Sequence, residues 1–517
     1  MLRAASLISG LTLVSRLLGL VREQVFAALL GAGMQADAFQ IAFRIPNLLR
    51  DLFAEGALSA AFVPTYAAAL VRDGRAAAFR LAARVLSVLC VALGGVIVLG
   101  YLAAGAIVDA LAPGYGLIAG KTELTEFLTR VMLPFLPLVS FAALAMGMLN
   151  AEERYGAPAI APAMFNVVAI LVGTGLTLAG ARPETAVVGW AIGTVLGGLA
   201  QLLVQAPPLL RRGFRPRWDW APWDPGLARI ALLMAPATLG LAAVQLNIFI
   251  SSRFASEEPG AVSWLTYAFR ILYLPIGIFG VALGTIATTG LAKSAARGDT
   301  AAMSATLVRG LKLLLFLCIP ASAGLIALGQ PIVRLIFERG RFTAFDTAGT
   351  ATALAFYAVG LVAYTGVKVV APAFYALGRP RVPLLGSALA VLTNLLIILA
   401  FDAALGYRAV ALGTSLGSIV NVAVLLAAFE WRIGGVAGQG LLKSAATMGL
   451  AALPTAAAAY AAARFLESVA GTAGLAAQLA AGLVPVAVGV LAYAAAARLL
   501  HISELNELIG ALRAKGR

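Results

Sequence analysis

The chain has 517 residues, 61% of them hydrophobic and only 12% charged, with a mean hydropathy of +0.95. Soluble globular chains carry about 25% charged residues, so this composition excludes a soluble enzyme or binding module and requires a polytopic integral membrane protein. The net charge of +15 is spread over loops rather than gathered into a basic domain, which points to membrane orientation and anionic membrane lipids and away from nucleic acid.

Apolar segments of the roughly 20 residues needed to cross a bilayer begin near 5–30, 36–70, 79–111, 124–149, 157–179, 186–209 and 227–252. Seven more follow near 262–291, 305–329, 347–377, 383–401, 405–431, 443–464 and 474–500. The expected fold is an all-α membrane protein with fourteen transmembrane helices. Arg3 precedes the first run as in a signal peptide, but Arg16, Arg22 and Glu23 interrupt the would-be apolar core, so a retained first helix is expected. Pro46, Pro64, Pro134, Pro137, Pro236 and Pro275 fall inside predicted spans, where each removes a backbone donor and permits a bend.

Short cytoplasmic loops retain positive charge. One set of alternate loops is the richer, with Arg72, Arg75, Arg80 and Arg84, then Arg154, Arg211, Arg212, Arg215 and Arg217, Lys293 and Arg297, Arg379 and Arg381, and Arg432 and Lys443. The other set has Lys121, Arg182, Arg253, Arg334, Arg339, Arg341 and Arg408. Both termini are therefore expected in the cytoplasm, with the basic 334–341 stretch the one discordant region. Cys90 and Cys318 lie in separate predicted helices and give neither a disulfide framework nor a metal spacing, and no cofactor or metal is expected. His501, the single histidine, sits in a peripheral C-terminal tail.

The chain repeats itself. AFRIPNLLRDLF from Ala42 aligns with AFRILYLPIGIF from Ala268, matching Arg44 with Arg270, and VGWAIGTVLGGLAQ from Val188 resembles AVALGTSLGSIVN from Ala409. Six spans per repeat give parallel repeats about an axis along the membrane normal, with a central cavity expected between two pseudo-symmetric bundles. The domains are then an N-terminal bundle over 1–210, a linker over 211–226, a second bundle over 227–432, two extra helices over 433–500 and a cytoplasmic tail over 501–517. The linker RRGFRPRWDWAPWDPG suits an amphipathic, interface-lying connector.

Two arginines, Arg16 and Arg22, lie within the first span, and Arg44 and Arg50 within the second. An arginine near a membrane helix centre costs about 2.5–3.5 kcal/mol on insertion scales, so the cluster requires water, counter-charge or an anionic ligand. If the two spans run antiparallel about a turn near Gly33, Arg16 is level with Arg50 and Arg22 with Arg44, so like charges share each depth. Guanidinium groups stay protonated and offer forked donors suited to phosphate. Arg270 stands in a stretch without acids and joins from the second repeat, which points to an anionic cargo such as pyrophosphate. The alternative is that Glu23, Asp37, Asp51 and Glu55 neutralise the four arginines and tie the hairpin together.

These residues carry a resemblance as well. SRLLGLVRE from Ser15, GAGMQADAF from Gly31, RIPNLLRDLFAEGALSAAFVP from Arg44, LAPGY from Leu111 and FGVALGTI from Phe279 resemble the lipid II flippases of bacterial peptidoglycan synthesis. That family lies within the multidrug, oligosaccharidyl-lipid and polysaccharide exporter superfamily, and the similarity spans roughly 5–440.

The resemblance implies a transporter, not an enzyme, of the bacterial inner membrane. It would carry lipid II, the undecaprenyl-pyrophosphate-linked disaccharide pentapeptide, to the outer leaflet by alternating access, with other cell-wall synthesis proteins as further partners. It implies substrate binding by Arg16, Arg22, Arg50, Arg270 and Ser263, and a gating or structural role for Glu23 and Asp37; Arg44, Asp51 and Glu55, outside the family's essential set, are read as gating or structural charges of the same hairpin. Helices 13 and 14 would form a groove for the polyprenyl tail. The chain departs from some family members at Tyr273, where they have an acid. It has no carboxylate between 226 and 256 or between 382 and 400, where some bind sodium, although Asn394 and Asp402 are near. A drug or cation antiporter would need acids in the cavity. A polyprenyl-lipid enzyme would need a base, a nucleophile or a metal-binding carboxylate set that this chain lacks.

Overall fold

The computed structural model describes residues 2–50, 57–179 and 182–515, so Asp51 and Glu55 lie outside the described residues. All regular structure among them is helical. The first helices are Leu2–Leu30 (α1), Met34–Arg50 (α2), Ala57–Arg72 (α3), Gly74–Leu102 (α4), Ala104–Leu111 (α5), Lys121–Met132 (α6) and Phe135–Ala151 (α7). Next come Gly156–Leu178 (α8), Pro183–Arg211 (α9), Pro225–Ala255 (α10), Ala261–Pro275 (α11), Val281–Ala296 (α12), Thr300–Ala327 (α13) and Gly329–Phe337 (α14). The last are Ala344–Ala358 (α15), Leu361–Ala376 (α16), Arg381–Leu405 (α17), Tyr407–Arg432 (α18), Leu441–Ala470 (α19), Leu475–Leu499 (α20) and Ser503–Lys515 (α21).

Ten stretches of helix among the described residues are long and apolar enough to cross a membrane, and eleven if the bent pair α15–α16 is one span. The predicted spans 5–30, 36–70 and 227–252 are not in that count. The first corresponds to a continuous helix of 29 residues, long enough but loaded with Arg16, Arg22 and Glu23. The second is represented by α2, 17 residues with Asp37, Arg44 and Arg50, and by α3. The third falls on α10, 31 residues long.

Several spans that read as continuous in sequence are broken in structure. One turn of π-helix, Ile276–Gly280, follows Pro275 and joins α11 to α12, because the proline has no N–H for the ladder and the next turn widens. Pro134 caps the start of α7, and α15 meets α16 at 44°. The short helix α14 was not among the predicted spans. The C-terminal α21 does lie on the surface as a docked helix. Ile502 and Leu505 are buried with Phe316 and Tyr493, and Glu507 pairs with Arg309 at 3.2 Å.

The helices form two compact units, residues 1–263 with 339–342 and residues 264–338 with 343–517. In the first, α1 packs along α8, α8 along α9, α2 on α6, and α3 on α4, α7 and α10. Phe62, Tyr66, Leu93, Leu136 and Met148 are buried in its core. In the second, α17 packs along α18, α19 along α20 and α13, and α16 on α12, α13 and α18. Although the sequence repeat resumes after the linker, α10 packs within the first unit.

Local chemistry explains how the linker enters α10. Phe214 is buried against Phe79, with ring centroids 5.4 Å apart, and Arg84 reaches both Asp219 and Asp224. The Asp219 N–H donates to Ser87 Oγ at 2.9 Å. Asp224 then caps α10, accepting from the N–H groups of Gly226 at 2.8 Å and Leu227 at 3.3 Å, with Pro225 at the first helical position.

The discordant basic stretch is likewise engaged. Arg334 pairs with Glu467 and Glu338, and the Arg341 N–H donates to the Ala28 carbonyl at 2.8 Å, satisfying an end group of α1. This approach needs glycine at 340: its φ is +59°, and a Cβ there would stand 2.2 Å from the Ala28 oxygen. Gly340→Ala is expected to cost roughly 2–4 kcal/mol through left-handed strain and a backbone clash. Thermal unfolding of the detergent-solubilised protein would show it as a lower midpoint.

Candidate functional site

The first turn of α2 buries a charge completely. Asp37 has no exposed surface and accepts four hydrogen bonds, from Lys121 Nζ (2.8 Å), the Gly260 N–H (2.8 Å), the Ser263 N–H (3.0 Å) and Ser263 Oγ (2.7 Å). The first turns of α2, α6 and α11 therefore converge on one carboxylate, whose negative charge also suits the positive ends of their helix dipoles. Lys121 is itself fully buried, its ammonium 4.0 Å from the Tyr115 ring centroid. Burial, with the nearby Asp37 charge, pushes the Tyr115 phenol well above its ordinary range, and Arg44 opposes that shift. The Tyr115 hydroxyl is buried and has no hydrogen-bond partner among the described residues.

Tyr115 lies in a short 3₁₀ turn, Pro113–Leu117, seated on the end of α10. Gly114 permits that seat: its N–H donates to Ser256 Oγ at 3.2 Å, and a Cβ there would fall 2.4 Å from the Ser256 carbonyl oxygen. Arg44 donates to Ser252 Oγ on α10, and Ser252 in turn donates to the Ile248 carbonyl at 2.6 Å. Arg44 thus joins α2 to α10.

The other arginines of the first unit differ in exposure. Arg16 is exposed, whereas Arg22 and Arg50 are half-buried. Arg22 donates to the buried Glu23 at 2.6 Å and lies 5.2 Å from the Phe165 ring centroid on α8. Asn166, beside Phe165, donates to the Ser15 carbonyl at 3.3 Å, fixing α1 against α8 one residue before Arg16. In the second unit, Arg270 is exposed on α11.

Sequence reasoning singled out Asp37 and Ser263 separately, and the structure joins them. Ser263 is fully buried and its hydroxyl proton is committed to Asp37. Among the described residues, the hydrogen-bond partners of Asp37 include no arginine. Lys121 is the residue that sequence reasoning missed, because it read as an ordinary loop cation. A buried acid near an outer turn demands a counter-charge, and the lysine after the LAPGY segment was the available signal. On α17, Asn394 is buried, and Thr414 Oγ1 of α18 lies 3.5 Å from its Oδ1.

Known proteins resemble this chain in sequence and fold. The model of the family described as "Lipid II flippase MurJ" matches residues 26–482. The "Probable lipid II flippase MurJ" of Vibrio cholerae is 36% identical over 439 residues, covering 82% of each chain. The "Lipid II flippase MurJ" of Burkholderia cenocepacia is 34% identical over 435 residues, covering 83% of this chain and 84% of its own. Among solved structures, a lipid II flippase MurJ in an inward closed conformation superposes with a TM-score of 0.78 at 24% identity, covering 97% of this chain and 99% of that one. An inward-facing multidrug transporter of the MATE family superposes at 0.69 and 17% identity, covering 84% and 99%, a likeness of fold. With a family model matched over most of its length and relatives above 30% identity along more than four-fifths of it, this chain belongs to the lipid II flippase MurJ family.

Proposed function

We propose that this protein flips lipid II from the cytoplasmic to the outer leaflet of the bacterial plasma membrane by alternating access. The observation that carries the reading is family membership together with the arginines Arg16 and Arg22 of α1, Arg50 of α2 and Arg270 of α11. Arg16, Arg22, Arg50 and Arg270 bind the pyrophosphate, for which forked, permanently charged donors are suited. Asp37, Lys121 and Ser263 form a latch. Opening it frees the Ser263 hydroxyl for the cargo, and Glu23 orients Arg22. Arg44, engaged by Ser252, braces α2. Both termini face the cytoplasm, as the loop charges favour. The two C-terminal spans hold the polyprenyl tail, and other cell-wall synthesis proteins act beside the flippase.

Leaflet-resolved labelling of lipid II tests this in cells depleted of other flippases. Production of this protein is expected to raise the lipid II reached by an outer-leaflet probe. Equal labelling with and without it would overturn the reading.

A further inference from the structure

The Arg22 guanidinium meets more of the chain than its acid neighbour. Its central carbon lies 5.2 Å over the ring centroid of Phe165 on α8, within the range of an attractive cation–π contact. The hydrogen bond from Arg22 to Glu23 joins consecutive residues, whose side chains leave a helix about 100° apart and do not face each other. Arg22 therefore swings around α1 to reach Glu23. Holding a long side chain in such a pose costs rotamer entropy, which a second contact offsets.

The ring that supplies this contact is itself held. Phe165 packs on Phe135 of α7 with centroids 5.7 Å apart, and Phe135 packs on Phe43 of α2 at 5.8 Å. Gly197 of α9 gives the ring its room: a Cβ there would stand 2.7 Å from Phe165 Cδ2 and 2.9 Å from the Phe165 carbonyl oxygen. The next residue fixes the helix. Asn166 Nδ2 donates to the Pro162 carbonyl at 3.1 Å and to the Ser15 carbonyl at 3.3 Å, about two turns before Arg22 along the same stripe of α1. Neighbours on α7 and α9 thus hold the ring, and the Asn166 bond holds α1 beside it.

A guanidinium has five N–H donors, all in its plane. A carboxylate that steadies it takes donors and cancels charge, whereas a ring under its face takes none and leaves the charge whole. We propose that Phe165 is a positioning residue for cargo binding: it holds the Arg22 guanidinium by the face, so that the edge is presented to an anion. Phe165 does not touch the cargo and acts only through Arg22. The assignment rests on the flippase reading, in which Arg22 binds the pyrophosphate, and adds the residue that prepares that arginine. It also divides the work around Arg22, with Glu23 setting where the side chain swings and Phe165 setting its plane.

The test measures binding of lipid II to the purified full-length protein in nanodiscs, with the phenylalanine at 165 replaced by its mono-, di- and trifluorinated forms. Fluorine drains negative charge from the ring face and nearly keeps its shape, so affinity is expected to fall with each fluorine, by about fivefold in all. Phe165→Leu is expected to weaken binding to about the same extent, and Phe165→Tyr, which keeps the face, to restore it. In an Arg22→Ala background the leucine should cost nothing further, because its effect passes through the arginine. Fluorinated proteins that all bind as the wild type does, or a leucine variant that loses as much affinity without Arg22 as with it, would overturn the proposal and leave the flippase reading standing. An Arg22→Ala protein that binds lipid II as tightly as the wild type would overturn both the proposal and the assignment of Arg22 to the pyrophosphate.

Discussion

Asp37→Ala is expected to destabilise the protein by about 3–5 kcal/mol, the cost of leaving one member of a buried ion pair uncompensated. The effect should exceed that of Lys121→Met, and the reason lies in what each variant strands. Without the carboxylate, a fully buried ammonium retains only the Tyr115 ring, and the N–H groups of Gly260 and Ser263 lose their acceptor. Without the ammonium, the carboxylate keeps three donors. The difference is therefore about two buried backbone donors, roughly 2 kcal/mol or more. Pairing Asp37→Asn with Lys121→Met removes both charges and should lie nearer the wild type than either charge deletion alone. Thermal midpoints of the wild type and the three variants in detergent decide the matter, and a larger loss for Lys121→Met than for Asp37→Ala would contradict this ordering.

Removal of single arginines should abolish function while sparing the fold. Arg16→Ala, Arg22→Ala, Arg50→Ala and Arg270→Ala are each expected to leave a protein that inserts in the membrane yet fails to support growth of cells dependent on it. Deleting one partner of a desolvated, hydrogen-bonded charge pair costs about 2–5 kcal/mol, roughly a 30- to 4000-fold loss of cargo affinity. Lysine at these positions keeps the charge but not the fork, so partial rescue is expected. Arg44→Gln is the contrast. Its contact is a serine on α10, which an amide can also engage, so growth should be retained. Complementation read beside immunoblots of membrane fractions checks the set. Growth with all four of the first variants combined would remove the pyrophosphate assignment.

Hydropathy revealed most of the helices because membrane insertion selects for apolar length, the property that a sequence displays most openly. Breaks were less visible. Pro275 signalled a bend, but not that the ladder would widen into a π turn, since that depends on how α16 packs on Gly280 and Gly284. The line between units also escaped: the repeat begins after 226, whereas α10 packs on α3, and a repeat records ancestry while packing records present contacts. Residue type is what singles out Arg16, Arg22 and Arg270, the arginines proposed to bind the cargo. Lys121 looked like any loop cation because burial is a tertiary property. Likewise Phe165, under Arg22, reads in sequence as one more apolar residue of a membrane span.

The placement of α10 also bears on where the gene could be divided. The linker, with its tryptophans, prolines and arginines, looks like the natural place to separate two halves. A break there would sever the Asp224 cap from Arg84 on α4, part Asp219 from Ser87 on the same helix, and strip from α3 the helix that packs on it. The first unit runs through α10 to the start of α11 and also includes residues 339–342, which the other fragment would carry away. The chain crosses back to complete its first half only after residues 264–338 of the second have been made, so synthesis in order does not finish the first half first.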